Sequence, residues 1–341
     1  MRAWLAEVEE PPSLIIETSG STGAPKRVVL ARSAVLASAR ATARRLGAQG
    51  CWLLALPPGY VAGLQVVVRS LLAGCEPVIV AEHELAERPS FAAAFAAAGS
   101  GPVFVSLVAA QVPGLLENDD DLTALRGCHT VLVGGGPFSP ALRRRTEELG
   151  VNTVATYGSS ETAGGCVYDG LPLDGVAVAV AEDGRIRIGG PTLFSGYDGD
   201  PTLTADSLVD GWFLTSDRGE FDTTGRLRVL GRLDDVVVSG GVNVPTSAVS
   251  ARLLELPGVT SAAVLGVPDD RWGQRVVAVV ASTQRPGLTL DAVRDFVTAD
   301  LPRAWAPHQL VILDALPLLP NGKLDRLRLA TELSQSQVAP W

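Results

Sequence analysis

The sequence predicts an α/β protein: a large αβ N-terminal domain that includes an antiparallel β unit, followed by a small α+β C-terminal domain. Three observations carry this reading. Short apolar runs bounded by turn residues, SLIIE (13–17), CWLLALP (51–57), EPVIVA (76–81), PVFVSLV (102–108) and TVLVGGG (130–136), have the length and punctuation of buried strands. Helical patterns lie between them, and strands that alternate with helices imply an α/β domain. After about residue 170 the strands become short and closely spaced, GRIRIGG and GRLRVLGR among them, as in an antiparallel unit.

Taken in order, the helix expected after the strand VVL (28–30) has Ser33 as its N-cap. It carries Val35, Leu36, Ala39, Ala43 and Leu46 on one side and stops at Gly47. FAAAFAAAG (91–99) reads as a helix ending at Gly99. Beyond GRLDD (231–235) a new set appears, with VTSAAVLGV, QRVVAVVAS and DAVRDFVTADLP. The 341 residues exceed what one core usually supports, so the chain divides into residues 1–232 and 233–341.

Composition excludes several classes. A net charge of −9 leaves no broad basic face for a nucleic acid, although a small anion held by local groups is still allowed. The start, MRAWLAEVEEPP, is acidic where a secretory signal would be basic, and the apolar run GLQVVVRSLLAG is interrupted by Arg69. The expectation is a soluble cytoplasmic protein without membrane insertion. Cys51, Cys75, Cys128 and Cys166 are far apart, and His83, His129 and His308 have no ligand spacing, so neither a disulfide scaffold nor a zinc site is expected.

The stretch TSGSTGAPK (18–26) fails the test for a Walker A loop. Lys26 is preceded by Pro25 and followed by Arg27, and the next segment reads as a strand, not a helix. What remains is an arch of hydroxyls and glycine amides with one ammonium, suited to phosphate, against the plainer reading of a solvated hairpin turn. Lysine usage shifts the balance. Of 28 lysines and arginines only Lys26 and Lys323 are lysines, and both lie in glycine-containing loops, where a compact point charge can contact an oxygen without a bidentate fork.

TSGSTGAPK, YGSSETAGG, GWFLTSDRGE, GRLDDVVVSGGVNV and PNGKLDR occur in the order found in the adenylate-forming superfamily, and the chain resembles an acyl-CoA ligase of that group over about residues 14–328. SLVAAQVPGLL, SDRGE and CVYDGLPLDGV resemble the short actinobacterial o-succinylbenzoate:CoA ligases of menaquinone synthesis. The resemblance implies a reaction in two halves. A carboxylate attacks the α-phosphate of ATP to give acyl-AMP and pyrophosphate, and the thiol of coenzyme A then displaces AMP. Such chemistry needs positioned cations, amides and Mg²⁺.

By that resemblance Thr18, Ser19, Gly20, Ser21, Thr22, Gly23 and Lys26 cradle the β- and γ-phosphates, Glu161 binds Mg²⁺, and Ser160 stands where threonine is usual. Gly134, Gly135 and Gly136 line adenine, Tyr157 stacks on it, Asp217 accepts the ribose hydroxyls and Arg232 sits nearby. Lys323 bridges the attacking carboxylate and the α-phosphate, which implies that the small domain is mobile. Asp234 resembles the hinge, and SGGVN, with Gly240 and Gly241, the loop that meets pantetheine. Tyr60 stands where a histidine is usual, and Ser106, Gln111 and Gly164 are candidates for the acyl pocket. Arg69 divides evenly between pairing with a second substrate carboxylate and capping a helix face at the surface. Only 17 residues precede the loop, so an abbreviated large domain is expected, and a homodimer stays open. Two other functions also stay open: loading the acyl group onto a carrier protein, and a nucleotide-binding module without turnover.

Overall fold

The structure, a computed structural model, describes residues 1–7, 9, 11–18, 25–80, 90–282, 288–319 and 324–335. It divides into two compact units. One comprises Met1–Phe138, Leu142–Thr215 and Glu220–Arg228, the other Ser139–Ala141, Ser216–Gly219 and Val229–Trp341. The sequence puts the division after Arg232; by contacts it falls after Arg228. The strands Trp212–Phe221 and Leu227–Arg232 run without interruption through the change of unit, so no linker composition marks it.

In the first unit a short helix, α1 (Arg2–Ala6), precedes β1 (Leu14–Thr18) and β2 (Lys26–Leu30), which pair antiparallel from Leu14↔Leu30 to Thr18↔Lys26. The loop therefore joins two strands. Helix α2 (Arg32–Leu46) follows and ends at Gly47, whose φ of 72° is the left-handed C-cap that favours glycine. Ser33 is not its cap: Ala31 holds that position without a side-chain hydrogen bond, because the helix starts two residues earlier than the hydroxyl suggests.

The central sheet then builds up from β3 (Cys51–Leu54), helix α3 (Val61–Leu72), β4 (Val78–Ile79), helix α4 (Phe91–Ala97) and β5 (Val103–Val108). Helices α5 (Val112–Glu117) and α6 (Asp119–Gly127) lead to β6 (Thr130–Gly134), and α7 (Pro140–Glu148) to β7 (Thr153–Ser159), β8 (Gly164–Tyr168) and β9 (Leu171–Pro172). The order is β4-β3-β5-β6-β7-β8-β9, parallel through β7 and antiparallel from β8. The pleat sends alternate residues to opposite faces. Leu53, Val103, Val105, Leu107, Val131 and Val133 pack with α4, α5 and α6 on one side. Trp52, Leu54, Phe104 and Leu132 pack with Ala41 of α2 and Val66 of α3 on the other. Burial on both faces is the state in which parallel strands read as continuous apolar runs.

Cys51 and Cys75 form a disulfide with a Cα–Cα distance of 5.5 Å, which corrects the expectation of no bridge. They are 24 residues apart, and the intervening α3 returns the chain to the start of β3. Cys128 and Cys166 are buried, and burial pushes both thiols up to about 12.

The antiparallel unit is the five-stranded sheet of β10 (Ala177–Val180), β11 (Arg185–Gly189), β13 (Leu208–Val209), β14 (Trp212–Phe221) and β15 (Leu227–Arg232), with β15 paired to β14, while β12 (Gly196–Tyr197) pairs with β2. Helix α8 (Pro201–Ser207) starts from an Asp200 cap.

The chain passes into the second unit within β15 and forms the hairpin β16 (Val236–Ser239) and β17 (Val242–Pro245), then helix α9 (Thr246–Leu253). The long pair β18 (Val259–Asp269) and β19 (Gly273–Ser282) follows, then α10 (Leu290–Thr298), β20 (Gln309–Leu313) and α11 (Arg326–Gln335). Val264, Val276, Ala278 and Val280 face α9 and α10, and Ala263, Leu265, Val277 and Val279 face Leu329 and Leu333 of α11.

The entry of α3 is fixed by close approach. A Cβ on Gly63 would lie 2.3 Å from the carbonyl oxygen of Pro57. Gly63→Ala is therefore expected to destabilise the first unit by about 2 kcal/mol, measured by urea denaturation; a wild-type midpoint would show that the Leu56–Pro57 turn yields freely.

Candidate active site

The parallel strands of a doubly covered sheet leave polar groups room mainly at their ends, and Gln111, Gly134–Gly136 and Ser160–Glu161 lie at or just beyond the C-terminal ends of β5, β6 and β7. β6 ends in Gly134, where a Cβ would meet Thr156 Oγ1 at 2.4 Å. Gly135 has a φ of 76°, and Gly136 opens on free space. The strand thus ends in a shelf without side chains, against which a flat ring can lie on backbone. Tyr157 of β7 is paired with Val167 of β8 and packs against the cluster of Cys166, Val167 and Ile186.

After β7 the chain makes one turn of 3-10 helix, Ser160–Thr162, and leaves it through Ala163, which adopts a left-handed φ of 50°. Thr162, fully buried, holds this turn. Its Oγ1 accepts from Ser159 N at 2.9 Å and donates to Gly164 O at 2.7 Å. The turn also accepts Phe194 N at Glu161 O, 2.9 Å. Ser160 and Glu161 are half-buried at the free side of this fastened turn.

Glu161 has a partner that the sequence does not suggest. Tyr197 of β12 donates its hydroxyl to Glu161 Oε1 at 2.9 Å, and Lys26 Nζ lies 5.5 Å from the centre of the Tyr197 ring. Burial first, and the Glu161 charge second, hold the Tyr197 phenol above its ordinary range, so it stays a donor at neutral pH. Thr18 and Lys26, the flanks of the phosphate-loop stretch, are paired in the β1–β2 register. Ser19, Gly20, Ser21, Thr22 and Gly23 lie outside the described residues.

The acyl candidates gather around α3. Tyr60 is its N-cap residue. A Cβ on Gly164, whose φ is 103°, would meet Gln65 Cγ at 3.3 Å and Val61 Cγ2 at 4.0 Å. Gln65 donates to Ala163 O at 2.9 Å and to Val35 O at 3.2 Å, while its Oε1 is buried without a partner among the described residues. Arg69 is not a surface cap. It is 7% exposed, lies on the Trp52 ring at 4.9 Å, and has Nη2 3.5 Å from the Tyr168 hydroxyl. Among the described residues its Nε has no hydrogen-bond partner and no carboxylate pairs with it. Ser106 is buried on β5. Gln111 is committed to the scaffold: its amide donates to Ala55 O at 3.1 Å and accepts from Val108 N at 3.0 Å, tying the ends of β3 and β5 together.

In the second unit Arg232 forms a bidentate pair with Asp234, both contacts 2.7 Å, and its Nη1 is 3.9 Å from Asp217 Oδ1. Donating these hydrogen bonds to the Asp234 carboxylate holds the guanidinium above its ordinary range. Gly240 and Gly241, with φ of 57° and 78°, are the two central residues of the β16–β17 hairpin turn, flanked by the pair Ser239↔Val242. Gly240 donates to Trp272 O at 2.9 Å, and a Cβ there would meet the Trp272 ring at 2.8 Å. Lys323 lies outside the described residues.

Comparison with known proteins gives this arrangement its context. The AMP-binding enzyme model matches residues 6–198, and the model of the AMP-binding enzyme C-terminal domain matches residues 248–323. The chain belongs to the AMP-binding enzyme family. A Mycobacterium tuberculosis protein named "Probable 2-succinylbenzoate--CoA ligase" is 43% identical over 95% of this chain and 85% of its own length. Among solved structures, the o-succinylbenzoate CoA synthetase of Bacillus subtilis in complex with the acyl-adenylate OSB-AMP is 27% identical with a TM-score of 0.76, covering 92% of this chain and 68% of that one. The same synthetase in complex with ATP and magnesium ion matches with a TM-score of 0.77, 27% identity and coverage of 95% and 72%.

Among the described residues of this AMP-binding enzyme, no group of three or more His, Cys, Asp or Glu is arranged to hold a metal by itself. A lone carboxylate suits Mg²⁺, which keeps several waters and takes its remaining ligands from substrate phosphates, so Glu161 fits that ion. Sequence reading missed Thr162 and Tyr197. The signal for Tyr197 was its rarity, one of 4 tyrosines, within an otherwise turn-like FSGYDGD.

Because Thr162 is the fixed point of the turn, Thr162→Val leaves Ser159 N and Gly164 O unpaired in a buried site. The expected cost is about 2 kcal/mol of stability together with a loss of nucleotide affinity. Denaturant titration and ATP titration calorimetry test this; unchanged ATP affinity would show that the turn keeps its shape without the hydroxyl.

Proposed function

We propose that the protein is an acid–thiol ligase that forms pyrophosphate and AMP, activating 2-succinylbenzoate with ATP as an acyl-adenylate and transferring the acyl group to coenzyme A, a step of menaquinone synthesis in the cytoplasm. The observation that carries this reading is the 43% identity over 95% of the chain with a protein named as a 2-succinylbenzoate–CoA ligase. No helix among the described residues is long and apolar enough to cross a membrane.

On this reading the adenine lies along the Gly134–Gly136 shelf and against Tyr157, and Asp217 takes the ribose hydroxyls with Arg232 beside it. Thr18, Ser19, Gly20, Ser21, Thr22, Gly23 and Lys26 hold the β- and γ-phosphates through amides, hydroxyls and one ammonium. Ser160 orients the α-phosphate. Glu161 holds Mg²⁺, which when bound neutralises charge on the phosphate oxygens. Lys323 brings the attacking carboxylate to the α-phosphate. No side chain acts as a nucleophile, so the rate comes from orientation and from preset charges.

The acyl group occupies the region of Tyr60, Gln65, Ser106 and Gly164. Arg69 supports a substrate with a second carboxylate: a buried guanidinium with an aromatic ring, a phenol and an unpartnered Nε is costly unless an anion joins it. Asp234 is the hinge residue, and the Gly240–Gly241 turn meets pantetheine.

Pyrophosphate release with ATP and Mg²⁺ across a panel of acids, with and without coenzyme A, tests the reading. The expected outcome is turnover with 2-succinylbenzoate that yields its CoA thioester; turnover with a different acid alone would discard this substrate. Arg69→Met is expected to raise the KM for 2-succinylbenzoate about tenfold or more, the worth of a charge-assisted hydrogen bond, with the KM for ATP unchanged. Equal effects on both would make Arg69 a packing residue.

A further inference from the structure

The contacts around Glu161 have a feature that the two-step reaction by itself does not require. Tyr197 of β12 contacts side chains from two other segments, Glu161 of the turn after β7 through its hydroxyl and Lys26 of β2 through its ring. The strand register explains the meeting. Tyr197 pairs with Val28, and Lys26, two residues before Val28, lies diagonally across on the same face, within reach of a large ring.

Tyr197 itself is held on every side. Its N–H donates to Thr204 Oγ1 at 2.8 Å, and its ring meets Phe194 edge-on at 4.9 Å, while Phe194 meets Phe213 at 5.4 Å. The same segment fastens the backbone of the turn through Phe194 N to Glu161 O. At 7% exposure the ring has little freedom, so its hydroxyl presents a fixed donor to Glu161 Oε1. A carboxylate with one oxygen tied has lost rotation about its last bond and presents the other oxygen in one direction. A carboxylate serving a single metal contact gains most from such a tie, because the ordering is done before the ion arrives.

We propose that Tyr197 is a positioning residue: its hydroxyl orients Glu161 for the metal–nucleotide complex, while its ring face carries the Lys26 ammonium, so that one side chain touches both the phosphate loop and the metal ligand. This rests on the assignment of Glu161 to the metal made above. It assigns Tyr197 no contact with substrate and no part in bond making.

The test is a double-mutant cycle read by binding. The probe is Mn²⁺ with α,β-methylene-ATP, which is not adenylated, followed by the electron paramagnetic resonance of free Mn²⁺ and by the line shape of the bound ion. Tyr197→Phe keeps the ring and the lysine contact and removes only the hydroxyl. It is expected to weaken the metal–nucleotide complex about fivefold and to broaden the bound-ion spectrum, with its melting temperature close to wild type. Glu161→Gln is expected to weaken the complex about tenfold or more, and the double variant no further than Glu161→Gln alone, since Tyr197 acts through Glu161.

Unchanged affinity in Tyr197→Phe beside a weakened Glu161→Gln would overturn the role of the tyrosine alone. A Tyr197→Phe loss that persists in full in the Glu161→Gln background would also overturn it, as the effect would then be one of packing. Unchanged affinity in Glu161→Gln would overturn the metal assignment itself. None of these outcomes depends on which acid is activated, so failure of the substrate reading stays separate from failure of this inference.

Discussion

The first unit depends on a sheet whose parallel strands are covered on both faces. In β5 and β6, Val103, Val105, Leu107, Val131 and Val133 point to one layer of helices while Phe104 and Leu132 point to the other. A strand so used has few polar side chains along its length, Ser106 of β5 being one. Polar function is driven to the strand ends, and the Gly134–Gly136 shelf, the Ser160–Thr162 turn and the Gln111 bracket all lie there. The helices that cover the sheet are equally constrained: α3 brings Tyr60 and Gln65 to the same end as the glycine shelf only because Gly63 lets it approach the Leu56–Pro57 turn.

Around that end the structure uses buried polar groups with little slack. Thr162 fastens a turn through both its donor and its acceptor capacity, and Ala163 accepts a left-handed backbone to leave it. Such a residue is strained unless its surroundings over-determine it, and here Gln65 on Ala163 O and Phe194 on Glu161 O do so. Among the described residues of α3, Gln65 Oε1 and Arg69 Nε are buried without a hydrogen-bond partner, one turn apart on the helix.

The second unit solves a different problem. Its long β18–β19 pair is also covered on both faces, by α9 and α10 on one and α11 on the other. Its functional candidates again lie at ends and turns, in the Arg232–Asp234 pair and the Gly240–Gly241 hairpin. There the need for glycine is conformational, since a two-residue hairpin turn with both φ positive excludes most side chains, and Trp272 beneath Gly240 adds a steric reason.

The sequence by itself determined the alternation of strands and helices, the loop between two strands, the change to antiparallel pairing and the five motifs in order, because period, turn residues and motif spacing are local and written along the chain. It determined the residue types of the site for the same reason. It did not show that Ser33 is passed over as a cap, that Cys51 meets Cys75, or that Arg69 is buried on Trp52 and Gln111 bound into the scaffold. Nor did it show that Tyr197 reaches Glu161 across 36 residues. Each of these rests on which segments the sheet order makes neighbours, and that order is fixed by burial of the whole core, a property no single stretch of sequence carries.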